Sequence, residues 1–175
     1  MAIGAGSTAI NGWTVAPTTT GNLVWAKTPT GDGYSASDGT YFVDLTGFGA
    51  SSPNGKLEQL LTGLVSGGMY SFSFDTFGTA AGVSVDGSAL SLTAGSTFTV
   101  GTTSWTTRTG TFVAGGSTAL LSIGNVVPGA SVVFVDHIVV DGPSASTGVP
   151  DSTPTGSLLA AVGLACGFLK RRRRG

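Results

Sequence analysis

The chain has 175 residues, of which only 10% are charged while 41% are hydrophobic and 29 are glycine. Twenty serines and 25 threonines supply the polarity, and the apolar residues recur regularly, which excludes a disordered chain and points to one all-β domain with many turns. Five of the eight cations lie at positions 170–174, so residues 1–148 carry three cations against eight acids, a net of −5 that argues against nucleic acid as a partner.

The first eight residues, MAIGAGST, lack the basic and apolar blocks of a secretory signal peptide. Trp13 sits in a tight Gly-Trp-Thr block, which suggests core packing. Trp25 and Tyr34 flank the stretch KTPTGDG at residues 27–33, the best place for an exposed aromatic platform. For either ring, burial in the core is the competing reading. Residues 40–46 (TYFVDLT) alternate as a strand does. Residues 56–65 (KLEQLLTGLV) have helical propensity, but Gly63 and the pair Gly67 and Gly68 favour a strand leading into a tight turn. Residues 69–77 (MYSFSFDTF) place Tyr70, Phe72 and Phe74 on one face and Ser71, Ser73 and Asp75 on the other.

Further strands are expected at residues 97–100, 109–114, 119–123 and 131–140, and Trp105 is placed as a cap on the sandwich. Turn pairs fall between them at Asp86-Gly87, Gly115-Gly116 and Pro128-Gly129. This spacing predicts an all-β fold, an antiparallel two-sheet sandwich over residues 1–142 with almost no helix before Pro154. One core is expected from Val43, Leu45, Phe72, Phe74, Phe112, Leu120, Ile138 and Val140. Both faces of the last strand are apolar, so its facing is open.

The chemistry of the body is sparse. His137 is the only histidine and Glu58 the only glutamate, and no zinc-protease, paired-cysteine or nucleophile-elbow motif is present. Asp136 precedes His137 in a strand, where neighbouring side chains point to opposite faces, so the two do not pair. The chain therefore reads as a non-enzyme. The single cysteine, Cys166, lies in the apolar tail, and the body holds no disulfide.

The tail has three blocks. A motif of Val149, Pro150, Asp151 and Ser152 is followed by 14 apolar-rich residues at 156–169, then by Lys170, Arg171, Arg172, Arg173 and Arg174. Pro154 and Gly156 mark the start of a hydrophobic helix. A span needs about 20 residues, with ~17 as the lower bound, and snorkelling cations extend a short one. The cation cluster stays cytoplasmic, which puts residues before 149 outside the cytoplasm. Residues 143–155 are then the linker, and 156–175 the anchor helix and its basic stop. These blocks resemble the PEP-CTERM class of bacterial sorting signals in its Val-Pro-Asp-Ser-Gly variant, with Thr153 in place of the glycine. The resemblance implies processing by a membrane-embedded exosortase and delivery to the cell surface or extracellular matrix. It also implies an N-terminal signal peptide, so the chain is expected to be truncated at its start.

In the body, GSTAINGWTV, ASDGTYFVDLTG, KLEQLLTGLVSGGMYSFSFD, SWTTRTGTFVAGGSTALLSI and VVFVDHIVVDG occur in the order found in choice-of-anchor type C domains. The resemblance covers roughly residues 6–142. It implies a galactose-binding-like jelly roll related to carbohydrate-binding modules, with the family's opening Asn-Gly-Ser-Phe-Glu strand missing. It also implies a structural Ca²⁺, with Asp136 as the last-strand acid and the loop at Asp38 offering carbonyls, weakened by the loss of that strand's glutamate. The competing reading for Asp38 and Asp136 is turn formation and strand-end capping. The expected function is an exported carbohydrate-binding module for extracellular polysaccharide. The alternative is a structural spacer of the cell surface that binds no small ligand.

Overall fold

The computed structural model describes residues 1–143 except 20–21, 48–54, 79–80 and 127–131. The expected sorting motif, hydrophobic helix and basic stop lie outside the described residues. Twelve strands are described: β1 (Ala2–Gly4), β2 (Thr14–Val15), β3 (Asn22–Lys27), β4 (Tyr41–Asp44), β5 (Lys56–Thr62), β6 (Met69–Phe77), β7 (Ala81–Val85), β8 (Ser88–Ala89), β9 (Thr93–Val100), β10 (Thr103–Val113), β11 (Thr118–Asn125) and β12 (Phe134–Asp141). They form a seven-stranded sheet in the order β1-β3-β4-β12-β6-β10-β9 and a five-stranded sheet in the order β2-β5-β11-β7-β8. All described pairings are antiparallel. Among the described residues there is no helix, and so none long and apolar enough to cross a membrane.

The alternation of residues decides the layers. In β6, Tyr70, Phe72 and Phe74 are buried and meet Val15, Leu57, Val83, Leu121 and Ile123 from the other sheet. Burying each such side chain contributes about 1.5–3 kcal/mol. In β11 the buried set is Ala119, Leu121 and Ile123, which leaves Leu120 38% exposed. This corrects the expectation that Leu120 is a core residue: its odd-numbered neighbours hold the inner phase, and Leu120 pairs with Leu60 on the opposite face. Val43, Leu45 and Phe112 are buried, while Ile138 and Val140 are partly buried against the core. Asp86 and Gly87 turn β7 into β8 with φ of 49° and 80°, the left-handed pair that a two-residue hairpin requires.

The outer face of the larger sheet is also covered. Ala26, Phe42, Trp105 and Phe134 point there and form a second cluster beneath the connection between β3 and β4, which supplies Ala36 and Tyr34. Trp105 is fully buried, rather than capping the sandwich, and its Nε1 donates to the Ser35 carbonyl at 3.0 Å. The Ser35 amide donates to Thr103 Oγ1 at 2.8 Å. One core was expected; there are two, because the connection folds back over the sheet.

Candidate functional site

The last strand is where regular pairing fails. β12 pairs with β4 only through Phe134 with Asp44 and Val135 with Val43. Its register against β6 shifts between Asp136 and Val139, and His137 adopts φ of 48°. A non-glycine residue in this left-handed region marks a bulge, which turns the strand away from its neighbour. The sheet is split beyond Val135, and Tyr41 has no partner in β12.

A depression of about 190 Å³ lies at this split. Its apolar side includes Trp13, Trp25 and Tyr41, and Asp136 and His137 form part of its boundary. Trp25 pairs in register with Val43, which puts Tyr41 one diagonal step away on the same face. The two rings lie 4.9 Å apart at 40°, and Tyr41 is 43% exposed. Trp13 and Trp25 are half-buried and rest on the main core. A larger depression of about 430 Å³ is lined by Thr18, Gly55, Lys56, Asn125 and Val126, with no ring among them.

One acid, Asp136, lies on the polar boundary. Asp136 and Asp75 are direct cross-strand partners between β12 and β6. Asp136 Oδ2 accepts from the Ser37 amide at 2.9 Å, the Ser37 hydroxyl at 3.1 Å and the Asp38 amide at 3.1 Å. Its Oδ1 accepts from the His137 amide at 2.8 Å. Burial raises the Asp136 carboxyl above its ordinary value, and these hydrogen bonds only partly offset it. Asp75 is buried; its Oδ1 accepts from Thr107 Oγ1 at 2.7 Å, and its Oδ2 lies 3.4 Å from His137 Nδ1.

Trp25 is thus placed in an open aromatic groove, but Tyr34 is not beside it. Tyr34 packs edge-on against Phe134 at 4.8 Å and Phe77 at 5.5 Å in the second cluster. Its loop was expected to project; instead it lies across the outer face. Tyr41 takes its place as the ring partner of Trp25. The signal for Tyr41 was present in TYFVDLT, where it shares the parity of Val43 next to Trp25. His137 stands at a bulge with its side chain 54% exposed, and its charged neighbour is Asp75, not Asp136.

Asp38 and Asp136 are brought together as expected, but the contact has the wrong polarity for a cation. Calcium takes six to eight oxygen ligands. Here the loop directs two amides and a hydroxyl at Asp136, and no group of three metal-ligating His, Cys, Asp or Glu side chains occurs among the described residues. The arrangement fits a carboxylate clasp that holds the loop, and it does not fit a calcium cage.

No family model and no curated protein matches the chain. Among solved structures, it is similar to the sugar-binding protein EclA C-terminal domain, at 23% identity over 67% of this chain and 89% of that one, with a TM-score of 0.40. It is also similar to a cyclase from Fischerella sp. TAU in complex with 4-(1H-indol-3-yl)butan-2-one, at 16% identity over 84% of this chain and 100% of that one, with a TM-score of 0.47. Neither likeness bears on function at these values.

Proposed function

We propose that this chain is an exported bacterial surface or matrix protein whose jelly-roll-type sandwich binds polysaccharide through the Trp25–Tyr41 groove. The observation that carries the reading is the pair of partly exposed rings at an opening bounded by polar side chains. A sugar ring has an apolar face that stacks on such rings and hydroxyls that need polar partners. The groove is smaller than the roughly 300–1,000 Å³ of drug-sized pockets, which suits one sugar unit of a polymer lying across the surface. The body's net charge of −5 disfavours acidic glycans, so the ligand is a neutral or weakly basic polysaccharide.

Each ring contributes on the order of 1 kcal/mol, taking aromatic pair energies as a guide. Single-site affinity is then modest, and retention in a matrix comes from many copies on one polymer. The sorting motif at residues 149–152, the apolar run and the basic stop support export, membrane insertion through the tail, and exosortase processing. Affinity electrophoresis against soluble neutral polysaccharides tests the binding: Trp25→Ala and Tyr41→Ala should each reduce retardation by about fivefold while leaving a cooperative melting transition. The structural-spacer reading is favoured by the core contacts of Trp13 and Trp25. It becomes the better one if Trp25→Ala unfolds the domain.

A further inference from the structure

We propose that the free edge of the larger sheet, strand β9, is a self-association surface that pairs antiparallel with β9 of a second copy of this chain. The inference is independent of the carbohydrate reading, because β9 ends the sheet opposite β1 and shares no residue with the Trp25–Tyr41 groove.

Among the described residues the two sheets have four edges, and they are unlike one another. β1, β2 and β8 are three, two and two residues long, and an edge so short gives a foreign strand little to pair with. β9 has eight residues, Thr93–Val100, and no described strand flanks its outer side. Exposed edges are usually blocked by lysine, proline or an inward charge. None stands here: residues 87–107 contain no charged residue, histidine or proline. The one protective device is a bulge. The register against β10 shifts between Thr106 and Arg108, with one extra residue of β9 between Ala94 and Thr97. The bulge bends the strand there and leaves residues 97–100 as the straight edge.

The turn into β10 sets which backbone groups are free. Gly101 and Thr102 form a two-residue loop, with Gly101 at φ of 59°. Such a loop is closed by a hydrogen-bonded pair, here Val100 with Thr103, and bonded and non-bonded pairs alternate from there. Phe98 and Val100 therefore bond to β10, and the amides and carbonyls of Thr97 and Thr99 point outward. Antiparallel pairing centred on Phe98 sets Thr97 opposite Thr99 of the second copy, and each such pair exchanges two hydrogen bonds. Phe98 meets Phe98 of the second copy on the face of Trp105, its register partner, where its ring is only partly buried. The threonines meet on the other face. The register closes on itself under a two-fold axis, which favours a second copy over an unrelated strand. The uncharged edge also lets two bodies of net charge −5 meet without opposed acids. The contact is short, so the dimer is weak and forms at roughly 0.1–1 mM.

Sedimentation equilibrium of the intact chain, in a mild uncharged detergent that disperses the apolar tail, should show a reversible monomer–dimer equilibrium in that range. Thr99→Pro removes an outward amide and spares the bonds to β10. It should raise the dissociation constant about tenfold or more while the melting transition is kept. Thr99→Lys sets a cation into the junction and should do the same, which keeps the test decisive where the proline variant fails to fold. In a Cys166→Ser background, Phe98→Cys should form a covalent dimer under mild oxidation, while Thr99→Cys, whose partner is Thr97, should not. A chain that stays monomeric at about 1 mM overturns the inference, and so does a dimer that survives both Thr99 variants. Cross-linking through position 99 in preference to position 98 overturns the proposed pairing.

Discussion

Among the described residues, Asp44 and Asp136 are the two carboxyls that burial raises above their ordinary value of 3.8, against the pull of their own hydrogen bonds. Asp44 ends β4 by accepting from the Thr46 amide and hydroxyl and from the Gly47 amide. A raised folded-state value means that the native protein binds the proton more tightly than the unfolded chain does. The stability this confers is complete below 3.8 and is lost as pH rises through the raised value. Asparagine does not titrate, so Asp136→Asn isolates the effect. The melting temperature of the wild type relative to that variant should move in favour of the wild type as pH falls from neutral to about 4. A shift in the opposite direction would mean that the four donors on Asp136 outweigh its desolvation. Among the aromatic residues, Trp25 lies at an opening, as its neighbourhood suggested. Tyr34 was misplaced because a residue's distance along the chain from an exposed turn does not reveal that the turn folds back.

Element by element, legibility followed periodicity. The segment at residues 69–77 alternates cleanly, and β6 is observed as Met69–Phe77 with the expected inner face. Residues 56–65 were read as a strand against their helical propensity, and β5 covers Lys56–Thr62. β1 and β2 are three and two residues long, too short to show a period. β12 could not be assigned one face because both faces of its sheet are covered at its start, where Phe134 joins the second cluster and Val135 the main core, and because the bulge breaks the alternation after Asp136. The same break opens the groove, so the least readable strand borders the proposed site. Tight packing between elements appears at Gly55, where an added Cβ would overlap the Leu45 carbonyl oxygen and a Leu23 methyl group. Gly55→Ala should cost about 2–3 kcal/mol or more, because backbone must move. Gly115→Ala, with open space around it, should stay near neutral. Equal denaturation midpoints for the two variants would refute this account of the contact.

At the scale of the whole molecule, two cores lie on opposite faces of one sheet, and the proposed groove borders only the main one. Trp105 anchors the covering connection through its buried ring and the Ser35 carbonyl, while Trp25 belongs to the groove. Trp105→Ala should cost about 3–5 kcal/mol in denaturant unfolding, a large share of a domain stability of about 5–15 kcal/mol. Trp25→Ala should cost much less and lose ligand instead. The last expectation concerns delivery. Under the proposed function, a groove of modest affinity is useful only where the protein is concentrated beside its polymer, and the proposed sorting tail would concentrate it there. Its motif, apolar run and cations follow the order that a membrane-embedded transpeptidase would need to hold the chain and cut it at the outer face. Mature protein recovered from the surface of a native host should therefore end near residues 149–152. Mass spectrometry reads that end directly, and recovery of surface material with Arg171–Arg174 intact would rule out the cleavage and leave the tail as a permanent anchor.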